Sequence, residues 1–475
     1  MGVPGHRLDR MFNPRTVVVI GDKGPGYMWL RQNLPFKEKG GNLYSVQIDE
    51  KEIPGILELG VQNFTSLKDI PEEIDYAVVA VPRQVSLYVL KDLIEVGAHG
   101  AAFFTSGFAE TGEPLGIELQ QKLTEMARAA AFNVVGPNCM GLYLPRAGVR
   151  FSADAPIAED GRIGFLSQSG THSIMFSLVA GANGLHLSRC ASFGNAIVLD
   201  VSDDLEYLTL DDETEVIGMY VEGVKDGRRY FETLREATRK KPVVVWKGGQ
   251  TEAGARATMS HTASLAAPQA VWDGMMRQCG AITTNSLDET VDVMKLLLQT
   301  KPLRGPGMAL LAMTGGQSVS ITDAFAKAGL SVPRLSQASY AELAEFFNIV
   351  GGSYQNPLDM AGTIQGKPEI LDRILRIVDA DPNIDGMAME LSVMFAARNW
   401  KRTPEALDQM LDALRAHMDR SEKPFACIMH PAHEEAYVAE IKQKFNEKGI
   451  PLFSNFERAA AAFARVLEHY RRRAE

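Results

Sequence analysis

Arg162-Ile163-Gly164-Phe165-Leu166-Ser167-Gln168-Ser169-Gly170 passes from a short apolar run into a small hydroxyl-rich turn, and a helix-forming stretch follows it. That order reads as strand, turn, helix. A near copy stands at Met308-Ala309-Leu310-Leu311-Ala312-Met313-Thr314-Gly315-Gly316. Downstream of each copy the likeness continues. Gly218-Met219-Tyr220-Val221-Glu222 matches Gly386-Met387-Ala388-Met389-Glu390, and Lys241-Pro242-Val243-Val244-Val245-Trp246 matches Lys423-Pro424-Phe425-Ala426-Cys427-Ile428. The strand and helix after Gly280 match those after Gly449. The order is kept while the offset drifts over roughly 145 to 182 residues, the pattern of two similar domains with different loop insertions. Chance likeness between generic strand–helix units is the alternative.

Further apolar runs lie at 16–20, 76–81 and 101–105, separated by amphipathic stretches. Apolar runs alternating with helical segments imply an α/β fold with parallel sheets buried on both faces. Pro- and Gly-rich breaks near 145–160 and 300–307 divide the chain into expected domains 1–147, 148–300 and 301–475.

Composition sets limits. A length of 475 residues fits two to four domains. Gly (42) and Pro (23) are too few for low-complexity disorder. A net charge of −10 without a basic block argues against nucleic-acid binding. Cys139, Cys190, Cys279 and Cys427 are widely spaced and form no Cys-x-x-Cys, so neither a disulfide framework nor a metal site is expected. No segment approaches the roughly 18 consecutive apolar residues of a membrane span, and no secretory leader is recognisable. A soluble, cytoplasmic protein is expected.

Five places carry residues suited to chemistry. The turn Gly21-Asp22-Lys23-Gly24-Pro25-Gly26 would let backbone N–H groups approach a phosphate, or it is a plain turn. Its spacing is not Gly-x-Gly-x-x-Gly, although Asp49 after the second strand keeps a dinucleotide reading open. Ser106-Gly107-Phe108-Ala109-Glu110 follows a strand, where open sheets bind ligands, and equally suits a capped loop. Gly136-Pro137-Asn138-Cys139-Met140-Gly141 is a rigid turn. Ser167, Gln168, Ser169 and Gly170 open a helix and would suit an anion, or an ordinary N-cap. His261 sits among Ser260, Thr262 and Ser264 and would serve as a nucleophile toward phosphorus, with Glu222 fixing its tautomer, or it is a surface histidine.

Taken with Ala80-Val81-Pro82, Phe193-Gly194-Asn195, Tyr220-Val221-Glu222-Gly223 and Asn356-Pro357-Leu358-Asp359, these motifs occur in an order that resembles the α-type portion of the ADP-forming (NDP-forming) acyl-CoA synthetases, relatives of succinyl-CoA synthetase. The resemblance implies a Rossmann-like CoA-binding domain followed by two flavodoxin-like domains. It implies an acid–CoA ligase that interconverts acyl-CoA, phosphate and ADP with carboxylic acid, CoA and ATP through a phosphohistidine. His261 and Glu222 fall on its catalytic positions, and Ser167, Gln168, Ser169 and Gly170 on its phosphoryl-binding loop. Gly21, Lys23, Gly24, Lys51, Val81, Pro82, Ser106, Gly107, Glu110 and Asn138 fall on its CoA-binding stretches. No ATP-grasp segment is recognisable, so the resemblance implies an ATP-grasp β-type partner subunit holding ATP/ADP and Mg2+, and a hetero-oligomer. Asp49 would repel a CoA phosphate, with Lys51 as compensation. The alternatives are a CoA- or acyl-CoA-binding relative without ligase activity and, more remotely, a nicotinamide-dependent oxidoreductase. The acyl group is not legible.

Overall fold

Val- and Ile-rich runs become strands whose residues are buried on both faces, as parallel sheets require. The computed structural model describes residues 2–262, 268–364 and 367–474, leaving aside the side chains of 259–262, 361, 395 and 474. The chain forms two compact units, residues 1–181 with 185–285, and residues 182–184 with 286–475.

The first unit holds two sheets. Strands β1 (Thr16–Ile20), β2 (Asn42–Val46), β3 (Gln62–Phe64), β4 (Tyr76–Val79), β5 (Gly100–Phe103) and β6 (Asn133–Val135) pair in parallel in the order β3-β2-β1-β4-β5-β6. This is the doubly wound dinucleotide-fold order, with its switch point between β1 and β4. Val18, Ala77, Val79, Ala101, Phe103 and Val134 pack with Leu90, Leu93 and Leu123 of the covering helices Ser86–Glu95 and Pro114–Ala129.

The second sheet comprises β7 (Gly141–Tyr143), β8 (Ile163–Ser167), β9 (Leu187–Ser192), β10 (Val216–Val221), β11 (Val243–Lys247) and β12 (Ile282–Thr284), in the order β12-β11-β10-β8-β9-β7. All neighbours are parallel except β7, which runs antiparallel to β9. Left-handed backbone at Asn138 (φ 57°) and Gly141 (φ 79°) turns the chain so that β7 enters in reverse. The parallel sheet expected from sequence thus carries one antiparallel strand at its edge.

In the second unit, β13 (Met308–Ala312), β14 (Leu358–Asp359), β15 (Gly386–Glu390), β16 (Phe425–Ile428) and β17 (Leu452–Phe453) form an all-parallel sheet in the order β14-β13-β15-β16-β17. Counted within their own segments, β8 to β12 and β13 to β17 both follow the order 2-1-3-4-5 of flavodoxin-like sheets. The repeat seen in the sequence is therefore a repeat of topology. Helix Leu287–Gln299 packs against helix Phe456–Ala474 within the second unit.

Candidate functional site

Strand C-termini at the β1/β4 switch point place the Gly21 turn beside Val81. Gly21 has φ 80°, and a Cβ there would lie 2.5 Å from Val81 Cγ1, so only glycine permits this approach. Next to it, Asp22 is buried, and its carboxylate accepts the N–H of Leu30 (2.9 Å) and of Lys23 (3.1 Å). Burial pushes its carboxyl pKa up, while the N–H groups of Leu30 and Trp29 pull it back. Amides near the start of helix Met28–Glu38, which a bound phosphate would use, therefore already have an acceptor from the chain itself. Gln47 reinforces the turn by donating to the Asp22 carbonyl (2.9 Å) and accepting from Ile48 and Asp49. Asp49 closes onto the Lys51 N–H at 3.1 Å, and Gly24 N–H donates to Glu52 at 3.0 Å. The side chains of Lys23, Lys51 and Ser106 are exposed, as is Pro82.

The loops after β5 and β6 are joined into one network. Glu110 Oε1 accepts the N–H groups of Gly107 (2.5 Å) and Phe108 (3.1 Å), and its Oε2 accepts the Asn195 amide at 2.6 Å. Arg83 donates to the Gly107 carbonyl and pairs with Glu113 at 2.9 Å. Asn138 N–H donates to the Thr105 carbonyl (3.0 Å), and its side chain reaches Asn195 Oδ1 at 3.4 Å. Lys225, whose pKa is lowered by burial, donates to the carbonyls of Asn195 and Ala196. Asn195 links the two sheets at this end of the unit, and Lys225 pins its backbone. Asn195 stands in one of the motifs above, but its side-chain partners Asn138, Gln120 and Glu110 lie 57, 75 and 85 residues away.

The Ser167 turn ends β8 and opens helix Gly170–Gly181. Ser167 is fully buried. Its hydroxyl donates to the Ser169 carbonyl (2.6 Å) and accepts the Ser169 N–H (3.2 Å). Ser169 Oγ accepts the His172 N–H at 3.3 Å as a helix cap. Gln168 Oε1 accepts the backbone N–H groups of Glu222 (2.8 Å) and Gly223 (3.1 Å), which ties this turn to the end of β10. Gly170 sits against Met140, where a Cβ would lie 2.9 Å from Met140 Cγ.

Glu222 is buried and accepts a hydrogen bond from the Tyr220 hydroxyl at 3.2 Å. Lys247, also buried, donates to the carbonyls of Glu222 (2.7 Å) and Gly248 (2.6 Å), and burial lowers its pKa against the pull of Glu222. Sequence reasoning left Lys247 without a role, although a lysine ending a Val-rich strand is a signal in itself. His172 packs at 4.3 Å from the Tyr220 ring and 4.6 Å from that of Trp246. Burial lowers the His172 pKa, and Glu222 opposes the shift.

Gly248 and Gly249 lead into helix Glu252–Thr262. At Gly248 a Cβ would meet the Tyr220 hydroxyl at 2.6 Å and Glu222 Cγ at 3.1 Å, so the chain passes tightly over the acid. The helix packs against the turn Ala109–Thr111 that carries Glu110. The backbone of His261 is in its last turn, whereas the His261 imidazole and the loop residues Ala263 and Ser264 lie outside the described positions. Among the described residues, no group of three or more His, Cys, Asp or Glu is disposed to hold a metal ion. No helix among them is long and apolar enough to cross a membrane.

Residues 15–145 match the family model of a CoA binding domain, and residues 160–297 that of a succinyl-CoA ligase-like flavodoxin domain. The chain is 32% identical over 465 residues to the acetate–CoA ligase [ADP-forming] II subunit alpha of Pyrococcus furiosus, covering 97% of each. It is 32% identical to the acetate–CoA ligase [ADP-forming] I of Archaeoglobus fulgidus, covering 98% of this chain and 64% of that one. Among solved structures, the dinucleotide forming acetyl-coenzyme A synthetase 1 of Ca. Korarchaeum cryptofilum, in complex with phosphate and ADP, superposes with a TM-score of 0.84 at 27% identity, covering 98% of this chain and 97% of that one. On the strength of the two sheet topologies, the ordered loops and these likenesses over nearly its full length, the chain belongs to the α-type portion of the ADP-forming acyl-CoA synthetase family.

Proposed function

We propose that this chain is the α-type subunit of an ADP-forming acyl-CoA synthetase of the cytoplasm, acting with an ATP-grasp β-type subunit that holds ATP/ADP and Mg2+. The observation that carries the reading is the path of helix Glu252–Thr262. It follows Gly248, which sits tight against Glu222, packs on the Glu110 turn, and carries His261 in its last turn. One element thus joins the carboxylate to the loops of the CoA-binding sheet.

In the direction of ATP synthesis, phosphate attacks the thioester carbonyl of an acyl-CoA. The C–S bond breaks, CoA leaves as the thiol, and an acyl phosphate forms. A ring nitrogen of His261 then attacks phosphorus and the P–O bond to the acyl group breaks, releasing the carboxylic acid. The phosphoryl group passes from the imidazole to ADP on the partner. Glu222 accepts the N–H of the other ring nitrogen and stabilises the cationic phosphohistidine. The Ser169-capped start of helix Gly170–Gly181 offers N–H groups and a positive dipole end to the phosphoryl oxygens. The Gly21, Val81-Pro82, Ser106-Gly107 and Asn138 loops line the CoA side, and Lys23 in the turn and Lys51 after β2 are exposed cations for the CoA phosphates. Burial of Ser167, with its hydroxyl engaged within the turn, supports a role in shaping this loop rather than in touching phosphate.

The test uses the full chain with a purified β-type partner. Acyl-CoA and radiolabelled phosphate are expected to leave an acid-labile label on the protein that ADP removes. His261→Ala abolishes the label. Thermal stabilisation by CoA with no label under any condition would instead mark a CoA-binding relative without ligase activity.

A further inference from the structure

We propose that Tyr220 is a positioning residue for Glu222, its hydroxyl holding the carboxylate and its ring clamped between His172 and Trp246. The proposal rests on the role given to Glu222 above. Tyr220 lies two residues before Glu222, so the pleat of β10 aims both side chains to one face of the sheet. The hydroxyl donates to Glu222 Oε1 at 3.2 Å. The ring itself has little freedom, since Tyr220 pairs in register with Trp246 of β11, with ring centroids 4.6 Å apart. His172, from the first turn of helix Gly170–Gly181, closes the third side at 4.3 Å from Tyr220 and 4.6 Å from Trp246. Each ring touches the other two, and each comes from a different element.

The division of labour around Glu222 is what makes the hydroxyl matter. Gln168 takes the Glu222 N–H and Lys247 holds the Glu222 carbonyl, so the backbone of the acid is fixed from both ends. Neither contact acts on the side-chain torsions that aim the carboxylate. The Tyr220 hydroxyl does, and its donor points from a ring that three elements lock in place. A carboxylate that orients an imidazole must present one oxygen at a fixed angle, and a hydrogen bond to a charged group is strong enough that losing it should cost about ten- to a hundredfold in activity.

The experiment compares the wild type and Tyr220→Phe, each with the β-type partner, by steady-state kinetics and by crystal structures. Tyr220→Phe keeps the ring and removes the donor. The expected result is a kcat about ten- to a hundredfold lower, a KM for CoA within about twofold of wild type, and a displaced Glu222 carboxylate. Tyr220→3-fluorotyrosine, which retains both ring and donor, should keep kcat within about threefold of wild type and leave Glu222 in place. An unmoved carboxylate in Tyr220→Phe, a kcat within twofold of wild type, or a KM rise that mirrors the kcat loss would each overturn the assignment. A wild-type complex that forms no acyl-CoA would sink the ligase reading instead, and the position of the Glu222 carboxylate would then decide the role of Tyr220 by itself.

Discussion

Glu390 ends β15 at the position that Glu222 takes after β10, and in the second unit it is 3% exposed. Its Oε2 accepts the Met313 N–H at 2.9 Å. Burial pushes its pKa from 4.5 to about 7, the Met313 bond opposes the shift, and the nearby Asp359 charge adds to it. A carboxyl group with a raised folded-state pKa favours folding while it is protonated, and stability falls as pH rises from the unfolded value toward the folded one. Over the 2.5 units between those values, at 1.36 kcal/mol per unit, the wild type loses roughly 3 kcal/mol between pH 4 and pH 8 through this group. Glu390→Gln keeps an acceptor for Met313 and removes the titration. For a unit of this size the variant's melting temperature should gain about 6–12 °C on wild type between pH 4 and pH 8. Differential scanning calorimetry of both proteins across that range is the assay, with the transition of the second unit followed. Parallel pH profiles for the two proteins would refute the reasoning, because the burial of Glu390 would then carry no proton-linked cost.

Two further substitutions probe the first unit. Gly194→Ala would bring a Cβ to 2.2 Å from the Asn138 carbonyl oxygen and 2.4 Å from that of Pro137, at φ 48°, so about 1–3 kcal/mol of stability should be lost, read as a lower urea midpoint with an unchanged slope. Lys247→Met removes the cation that holds the Glu222 and Gly248 carbonyls; with the β-type partner present, kcat should fall at least tenfold while calorimetry still records a cooperative transition.

Much of the architecture is legible in the chain because parallel strands buried on both faces must be apolar throughout, and this leaves runs such as Val17-Val18-Val19 and Val243-Val244-Val245 in plain view. The strand–turn–helix copies at 162–170 and 308–316 foretell two sheets of one topology, and both sheets have it. What escapes is what three residues of strand cannot signal. Gly141-Leu142-Tyr143 has too little pattern to show that it runs backwards along β9. The site divides the same way. Its loops are readable as Gly- and Ser-rich breaks at strand ends. The partners of their side chains are not, because Gln168 finds its acceptor role 54 residues downstream and Glu110 is met by Asn195 from 85 residues away. Asp22 carries the same lesson: a phosphate-style turn is legible, but not that a carboxylate from the turn itself takes the amide of Leu30.

The glycine pair ahead of helix Glu252–Thr262 has a consequence for how this segment is able to vary. Gly248 is boxed in by Tyr220 and Glu222, while Gly249, at φ 69°, would set a Cβ 2.7 Å from Thr258. The entry to the helix therefore tolerates no bulk at either glycine. Change in this segment is therefore expected in the length or sequence beyond the pair rather than at the two glycines themselves.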